Sequence, residues 1–225
     1  MGIHPPNFCF HLEKGEAFDT PQAILSYSGT GLTKLSQQYH EIIREHICRG
    51  AYKHAKRPIL INNWEATYFN FNEEKILKIA EQAQKLGIEM LVLDDGWFGK
   101  REDDNSGLGD WFVNEKKMNG SMAQLAEKIH RMGMKFGLWF EPEMISEDSD
   151  LYRAHPDWAF AIPGRVPNHS RNQLVLDMTR EDVREYLLER LTTIVHDAKI
   201  DYVKWDMNRS VCDVYSHMAA QNRNG

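Results

Sequence analysis

The sequence predicts an α/β fold in which a parallel sheet lies under helices and gathers its strand ends at one mouth. Three observations lead there. From Arg57 onward, short apolar runs alternate with amphipathic helical stretches. Runs that are apolar throughout belong to strands buried on both faces, as in a parallel sheet between helices. The run ends also resemble one another, reading Ile61-Asn62-Asn63-Trp64-Glu65, Asp94-Asp95-Gly96-Trp97, Trp139-Phe140-Glu141-Pro142-Glu143 and Lys204-Trp205-Asp206-Met207-Asn208. A barrel delivers every strand end to a shared mouth, whereas an open sheet concentrates its chemistry at one switch point, usually on a glycine-rich phosphate loop. No GxGxxG follows a strand here, and Gly29 and Gly31 precede the first one with no GKS or GKT behind them.

Residues 1–57 read as a connector, without tryptophan and punctuated by Pro5, Pro6, Pro21, Gly29 and Gly31. Within it Leu35, Tyr39, Ile42, Ile43 and Ile47 recur at helical spacing and Gly50 follows, which predicts one amphipathic helix with a glycine stop. The strand runs are Pro58 to Trp64, Met90 to Asp94, Lys135 to Phe140, Leu174 to Met178 and Tyr202 to Asp206. Asn72 caps the first intervening helix, Glu73 and Glu74 suit its N-terminus and Gly87 ends it. Ser121 with Gln124 forms a capping box ahead of Leu125, Ile129 and Met132, and Gly133 stops that helix. Thr179 is the expected cap of a helix whose one face is Val183, Leu187, Leu191 and Ile194, and Val211 to Ala220 reads as the start of another.

No apolar run approaches the roughly 18 to 20 residues of a membrane span. With 33 acids against 27 bases and a formal charge of -6, no basic surface is expected to neutralise phosphates, so neither a membrane nor a nucleic acid is an expected partner. Cys9, Cys48 and Cys212 form no CxxC pair, which predicts neither a disulfide framework nor a zinc site and fits a reducing cytoplasm. Met1 to Phe10 has two prolines and no basic start, unlike a signal peptide. His40 and His46 would be turned about 240° apart on a helix, away from a common metal. Acids at successive strand ends are compatible with Mg²⁺, but that leaves the tryptophans unexplained, so no metal and no cofactor is expected.

Tryptophans beside carboxylates at a mouth suit a hydroxyl-rich ligand, whose C–H faces stack on rings and whose O–H groups donate to acids. Each tryptophan taken singly fits a core as well, and Glu65 and Glu143 fit helix caps. Asp94 and Asp95 point to opposite sides of a regular strand, and Gly96 allows a turn that brings both to the mouth. Alternation places Lys204, Asp206 and Asn208 on one face. A lysine two residues before an aspartate lowers its pKa, which suits a nucleophile; an ion pair filling a barrel layer is the competing reading.

Leu93-Asp94-Asp95-Gly96-Trp97-Phe98-Gly99, Gly137-Leu138-Trp139-Phe140-Glu141-Pro142-Glu143, Ser170-Arg171-Asn172-Gln173 and Tyr202-Val203-Lys204-Trp205-Asp206-Met207-Asn208-Arg209 follow in that order. Together they resemble the motifs of glycoside hydrolase family 36, the microbial α-galactosidases, over about Asn63 to Arg209. The stretch from Gly15-Glu16-Ala17-Phe18 to Tyr39-His40 is similar to the join between that family's N-terminal β-domain and its barrel. The resemblance implies that residues 58–225 are the N-terminal half of a (β/α)8 TIM barrel and 1–57 a helical connector from a β-domain outside this sequence. At 225 residues the chain is indeed shorter than the roughly 250 of a complete barrel. It further implies that Asp206 is the nucleophile of a retaining α-galactosidase and forms a galactosyl-enzyme. Asp94 and Asp95 would bind the galactose 4- and 6-hydroxyls, Lys204 and Asn208 would hold ring hydroxyls, Trp139 and Arg171 would contact the substrate, and Trp64 would line the pocket. The family takes its acid/base carboxyl from a later strand, so the chain is expected to stop short of it and to be a fragment. The implied substrates are melibiose- and raffinose-type oligosaccharides, and the full-length form is expected to be a homo-oligomer. Alternatives on the same scaffold are an inactive or binding-only chain, a galactosyltransferase and an α-N-acetylgalactosaminidase.

Overall fold

Strand and helix alternate in the computed structural model much as the periodicity requires. It describes residue 8 and residues 10–219, so Cys9 lies outside the described residues. The elements in chain order are α1 (Leu32–Ile42), continued by a wider π turn over Ile43–Ile47, then β1 (Leu60–Asn62), α2 (Trp64–Thr67), α3 (Glu73–Lys85) and β2 (Met90–Leu93). They are followed by α4 (Glu115–Met118), α5 (Met122–Arg131), β3 (Lys135–Phe140), β4 (Met144–Ile145) and α6 (Asp150–Ala154). A 3-10 turn over Pro156–Trp158, β5 (Leu174–Val175), α7 (Glu181–Asp197) and β6 (Tyr202–Trp205) complete the series. None of the described helices is long and apolar enough to cross a membrane.

The chain divides into two units, Met1–Pro58 and Ile59–Gly225. In the first, no residue of α1 is buried, and its local ties are polar, among them Tyr39 Oη donating to the Ile24 carbonyl at 3.1 Å and Lys53 Nζ to the Glu45 carbonyl at 2.7 Å. In the second, β1, β2, β3 and β6 form one parallel sheet in the order β1-β2-β3-β6. Its register pairs Leu60 with Met90, Met90 with Lys135 and Gly137 with Tyr202. Every residue of β2 is buried, and so is all of β3 except Lys135, which is the burial that continuous apolar runs require. Gly137 sits where β3 and β6 come close: a Cβ there would stand 3.0 Å from Val92 Cγ2 and 3.1 Å from Tyr202 Cδ1.

The helix signals hold where local chemistry alone decides them. The Asn72 side chain accepts from the Lys75 N–H, and Ser121 and Gln124 form the reciprocal capping box. Gly87 and Gly133 take φ of +79° and +77° beyond α3 and α5, the left-handed stop that glycine adopts most readily. Thr179 does not cap α7. Its N–H and hydroxyl both go to Asp177 Oδ1, a local turn that competes with capping, and the residue before the helix is Arg180.

Two further expectations are corrected. The run Leu174 to Met178 is no strand of the parallel sheet: only Leu174–Val175 pairs, antiparallel, with β4 just beyond the exit of β3. Its apolarity records burial, since Leu174, Val175 and Leu176 are all in the core, but burial does not name a pairing partner. Over Val211 to Ala220 the described residues 211–219 contain no helix. The core beneath the strand ends is aromatic, with Trp97, Phe98, Trp111, Trp139 and Phe140 all fully enclosed. Trp97 lies edge-on to Phe140 at 5.4 Å and donates its indole N–H to the Trp139 carbonyl at 2.9 Å. It is therefore a core residue, not a platform at the mouth.

Candidate active site

Asp206 stands one residue past β6, and its backbone N–H donates to the Phe140 carbonyl at 2.8 Å, so pairing with β3 still governs it. Three donors grip its carboxylate. Trp139 Nε1 and Asn208 Nδ2 donate to Oδ2 at 2.9 and 3.0 Å, and the Met207 N–H donates to Oδ1 at 3.0 Å. Burial pushes this carboxyl up, but the Trp139 indole, the Asn208 amide, the Met207 N–H and the Lys204 charge together hold it below its ordinary range. Lys204 lowers the pKa, as its position two residues before Asp206 predicts, but contributes less than these donors: its ammonium is 3.9 Å from Asp206 Oδ2 and 2.7 Å from Asp94 Oδ2. It is a bridge between two acids, closer to Asp94.

Asp94 and Asp95 are both buried at the exit of β2. Gly96, at φ +100°, turns the chain directly after them, and a Cβ there would come within 2.9 Å of Phe69 Cδ1. The two acids have different partners. Asp94 Oδ2 accepts from Lys204 and from Asn62 Nδ2, its Oδ1 accepts the Asp95 N–H at 2.9 Å, and its own N–H donates to Asn63 Oδ1 at 2.8 Å. Asp95 is held by Arg101, whose Nε and Nη2 reach its two oxygens at 2.9 to 3.2 Å. Burial nevertheless pushes the Asp95 carboxyl up, opposed by Arg101 and assisted by the charges of Asp94 and Asp104.

Arg171 adopts φ +51° in the turn Ser170 to Gln173, followed by Asn172 at +58°. Its Nη1 donates to Asn208 Oδ1 at 3.1 Å, and its Nη2 lies 3.8 Å from Asp104. Asn208 therefore joins Arg171 on one side to Asp206 on the other. Trp64 is half-buried, meets Tyr68 and Phe69 edge-on, and is tied to the group through its N–H, which donates to Asn62 Oδ1 at 2.7 Å. The structure thus links Asp94, Trp139, Arg171, Lys204, Asp206 and Asn208 through direct polar contacts. Asp95 joins by its backbone and Trp64 through Asn62. Trp205 takes the opposite face of β6, where it is 58% exposed and donates to Glu143 at 2.9 and 3.1 Å. Neither Glu143 nor Glu65 caps a helix; Glu65 accepts the Tyr68 hydroxyl at 3.0 Å.

Asn62, Arg101, Glu141 and Gln173 were not singled out by sequence reasoning. Asn62 and Glu141 carried a signal, since each lies in a strand-end motif and Glu141 shares the parity of Trp139. Arg101 carried none, because its approach to Asp95 depends on how the loop beyond Gly99 folds back. Glu141 is fully enclosed. Burial pushes its carboxyl up, the Asn208 N–H and amide pull it down, and the charges of Asp206 and Asp95 raise it again.

Comparison with known proteins identifies the family. The Melibiase family model matches residues 17–225. The bifunctional alpha-galactosidase/sucrose kinase AgaSK of Mediterraneibacter gnavus is 57% identical over 216 residues, covering 96% of this chain and 23% of its own length. Alpha-galactosidase AgaA of Geobacillus stearothermophilus is 53% identical, covering 96% of this chain and 30% of its own. A crystal structure of the Geobacillus enzyme superposes with a TM-score of 0.96 at 51% identity over 99% of this chain and 31% of that one, and a variant of it has been crystallised with raffinose. The chain spans less than a third of the length of these curated relatives.

Proposed function

Since the chain belongs to the Melibiase family, glycoside hydrolase family 36, we propose that it forms the first half of the catalytic barrel of a longer, retaining α-galactosidase acting on raffinose- and melibiose-type oligosaccharides. The observation that carries this reading is the Asp206 carboxylate, kept low in pKa by the Trp139 and Asn208 donors beside the Lys204–Asp94 pair. An ionised carboxylate with its orientation fixed is what a nucleophile needs. Asp206 attacks the anomeric carbon as the bond to the leaving oxygen breaks. That oxygen takes a proton from a second carboxyl, which then draws a proton from the water that releases galactose. In this reading the second carboxyl comes from a later barrel strand.

The roles follow the contacts. Asp94 and Asp95 accept from galactose 4- and 6-hydroxyls and are held for it by Lys204 and Arg101. Asn208 and Arg171 bear on the ring hydroxyls near the reacting carbon, while the enclosed Trp139 orients Asp206 through its indole N–H and Trp64 lines the pocket. The donors on Asp206 stay in place between turnovers, so little reorganisation is needed as charge shifts. The same reading takes the longer protein to be a cytoplasmic homo-oligomer, in keeping with its cysteine usage and its family. Incubation with a fluorinated α-galactosyl fluoride, followed by intact and peptide mass, tests the assignment. One galactosyl adduct on Asp206, absent in Asp206→Asn, is expected; an adduct elsewhere overturns it.

A further inference from the structure

Just beyond β3 lies a carboxyl that none of these roles uses. Glu141 has no solvent exposure, and two different segments converge on it. Its Oε1 accepts the backbone N–H of Asn208, and its Oε2 accepts Gln173 Nε2 at 3.2 Å. Asn208 carries the amide that holds Asp206 Oδ2. Gln173 closes the turn that carries Arg171, exchanging backbone hydrogen bonds with Ser170 at 3.4 and 3.1 Å across two left-handed residues. A left-handed pair without glycine is an unfavourable conformation that persists only where its surroundings impose it. A buried carboxyl is likewise costly unless its oxygens are matched by donors. Here the donors come from the segment whose Asn208 holds Asp206 and from the turn whose Arg171 bears on Asn208.

We propose that Glu141 is the positioning residue of this site: by accepting the Asn208 N–H and the Gln173 amide at once, it sets the Asn208 side chain against the Asp206 carboxylate and the Arg171 turn against Asn208. The inference rests on the reading of Asp206 as nucleophile and adds to it a residue that acts only through others. Glu141→Gln is the conservative variant, because its carbonyl accepts the Asn208 N–H while Gln173, turned over, presents its Oε1, a buried atom with no hydrogen-bond partner among the described residues. Glu141→Met keeps the bulk and leaves the Asn208 N–H without an acceptor.

The test compares kcat/KM for raffinose in the full-length polypeptide and its Glu141→Gln, Glu141→Met, Asn208→Ala and Glu141→Met/Asn208→Ala variants, with Tm measured alongside. Glu141→Met is expected to lose roughly 30-fold, the weight of a hydrogen bond to a charged acceptor, and Glu141→Gln to stay within about threefold. In the Asn208→Ala background the same Met substitution is expected to cost less than about threefold, since the group it positions is gone. An equal loss in both backgrounds is the signature of a general structural role and overturns the proposal, as does a Glu141→Met variant that keeps full activity. If the parent turns over no α-galactoside, the reading of the reaction fails on its own. The same variants are then ranked by calorimetric affinity for 1-deoxygalactonojirimycin, where the same pattern supports the positioning role and equal losses overturn it.

Discussion

At the scale of single residues, the Asp206 carboxylate depends mainly on donors that carry no charge. Trp139 supplies the largest downward pull on the Asp206 carboxyl, ahead of Asn208 and of Lys204. Trp139→Phe keeps an aromatic ring but removes the indole N–H, so the Asp206 pKa rises and the acid limb of the kcat/KM profile moves to higher pH. A loss of roughly tenfold or more at the optimum accompanies it, the usual worth of a hydrogen bond to an ionised group. An unmoved limb in a pH-rate series would count against the contact. Asp95 presents a different balance: its partner Arg101 is 1% exposed, and apart from Asp95 its guanidinium reaches the Ser106 carbonyl at 2.9 Å and, more distantly, the Asp104 carboxylate at 3.7 Å. Asp95→Ala therefore acts on stability as well as on the site. It strands a buried guanidinium and is expected to cost about 3–5 kcal/mol in urea unfolding, with Asp95→Ala/Arg101→Met recovering a large part of it.

At the scale of elements, the reading of the sequence succeeds where one local signal settles the structure and fails where two local signals compete or tertiary pairing decides. The capping box Ser121–Gln124 is self-contained, and Ser121→Ala is expected to lower stability by about 1 kcal/mol, seen as a lower Tm with unchanged site geometry. Strands β2 and β3 were legible because they are apolar almost throughout and stop at a polar motif, and β6 because its Tyr-Val-Lys-Trp run leads into another such motif. The run at Leu174 was equally apolar, yet its partner is the antiparallel β4, which no one-dimensional pattern distinguishes from a parallel neighbour. Thr179 had the right identity and spacing for a cap, but Asp177 captured it. Among site residues, Asp94, Asp206 and Asn208 were visible through alternation and motif, whereas Arg101 depended on a loop returning to the strand it had left.

At the scale of the whole molecule, three carboxyls, Asp95, Asp110 and Glu141, are pushed up by burial. Each holds its proton in the folded state to a higher pH than in the unfolded chain, so the stability linked to it falls as pH rises above the unfolded value. Asp206 works in the opposite sense: its lowered pKa contributes stability above the unfolded value that is lost as pH falls through the folded one. Glu141→Gln removes one of the raised group, so the Tm difference between it and the parent should shift in the variant's favour as pH rises from below the unfolded carboxyl value to pH 8; a difference independent of pH over that range would contradict the burial argument. The strand register carries a separate implication, for the order of assembly. Leu60 finds Met90, Met90 finds Lys135, and Gly137 must wait for Tyr202, across β4, α6, β5 and all of α7. Each pairing closes a longer loop than the one before, and closure entropy grows with loop length. Among these four strands the one that leads into Asp206 closes the longest loop and is expected to dock after the other three, so the polar cluster around Asp206 is completed only once β1, β2 and β3 are in place.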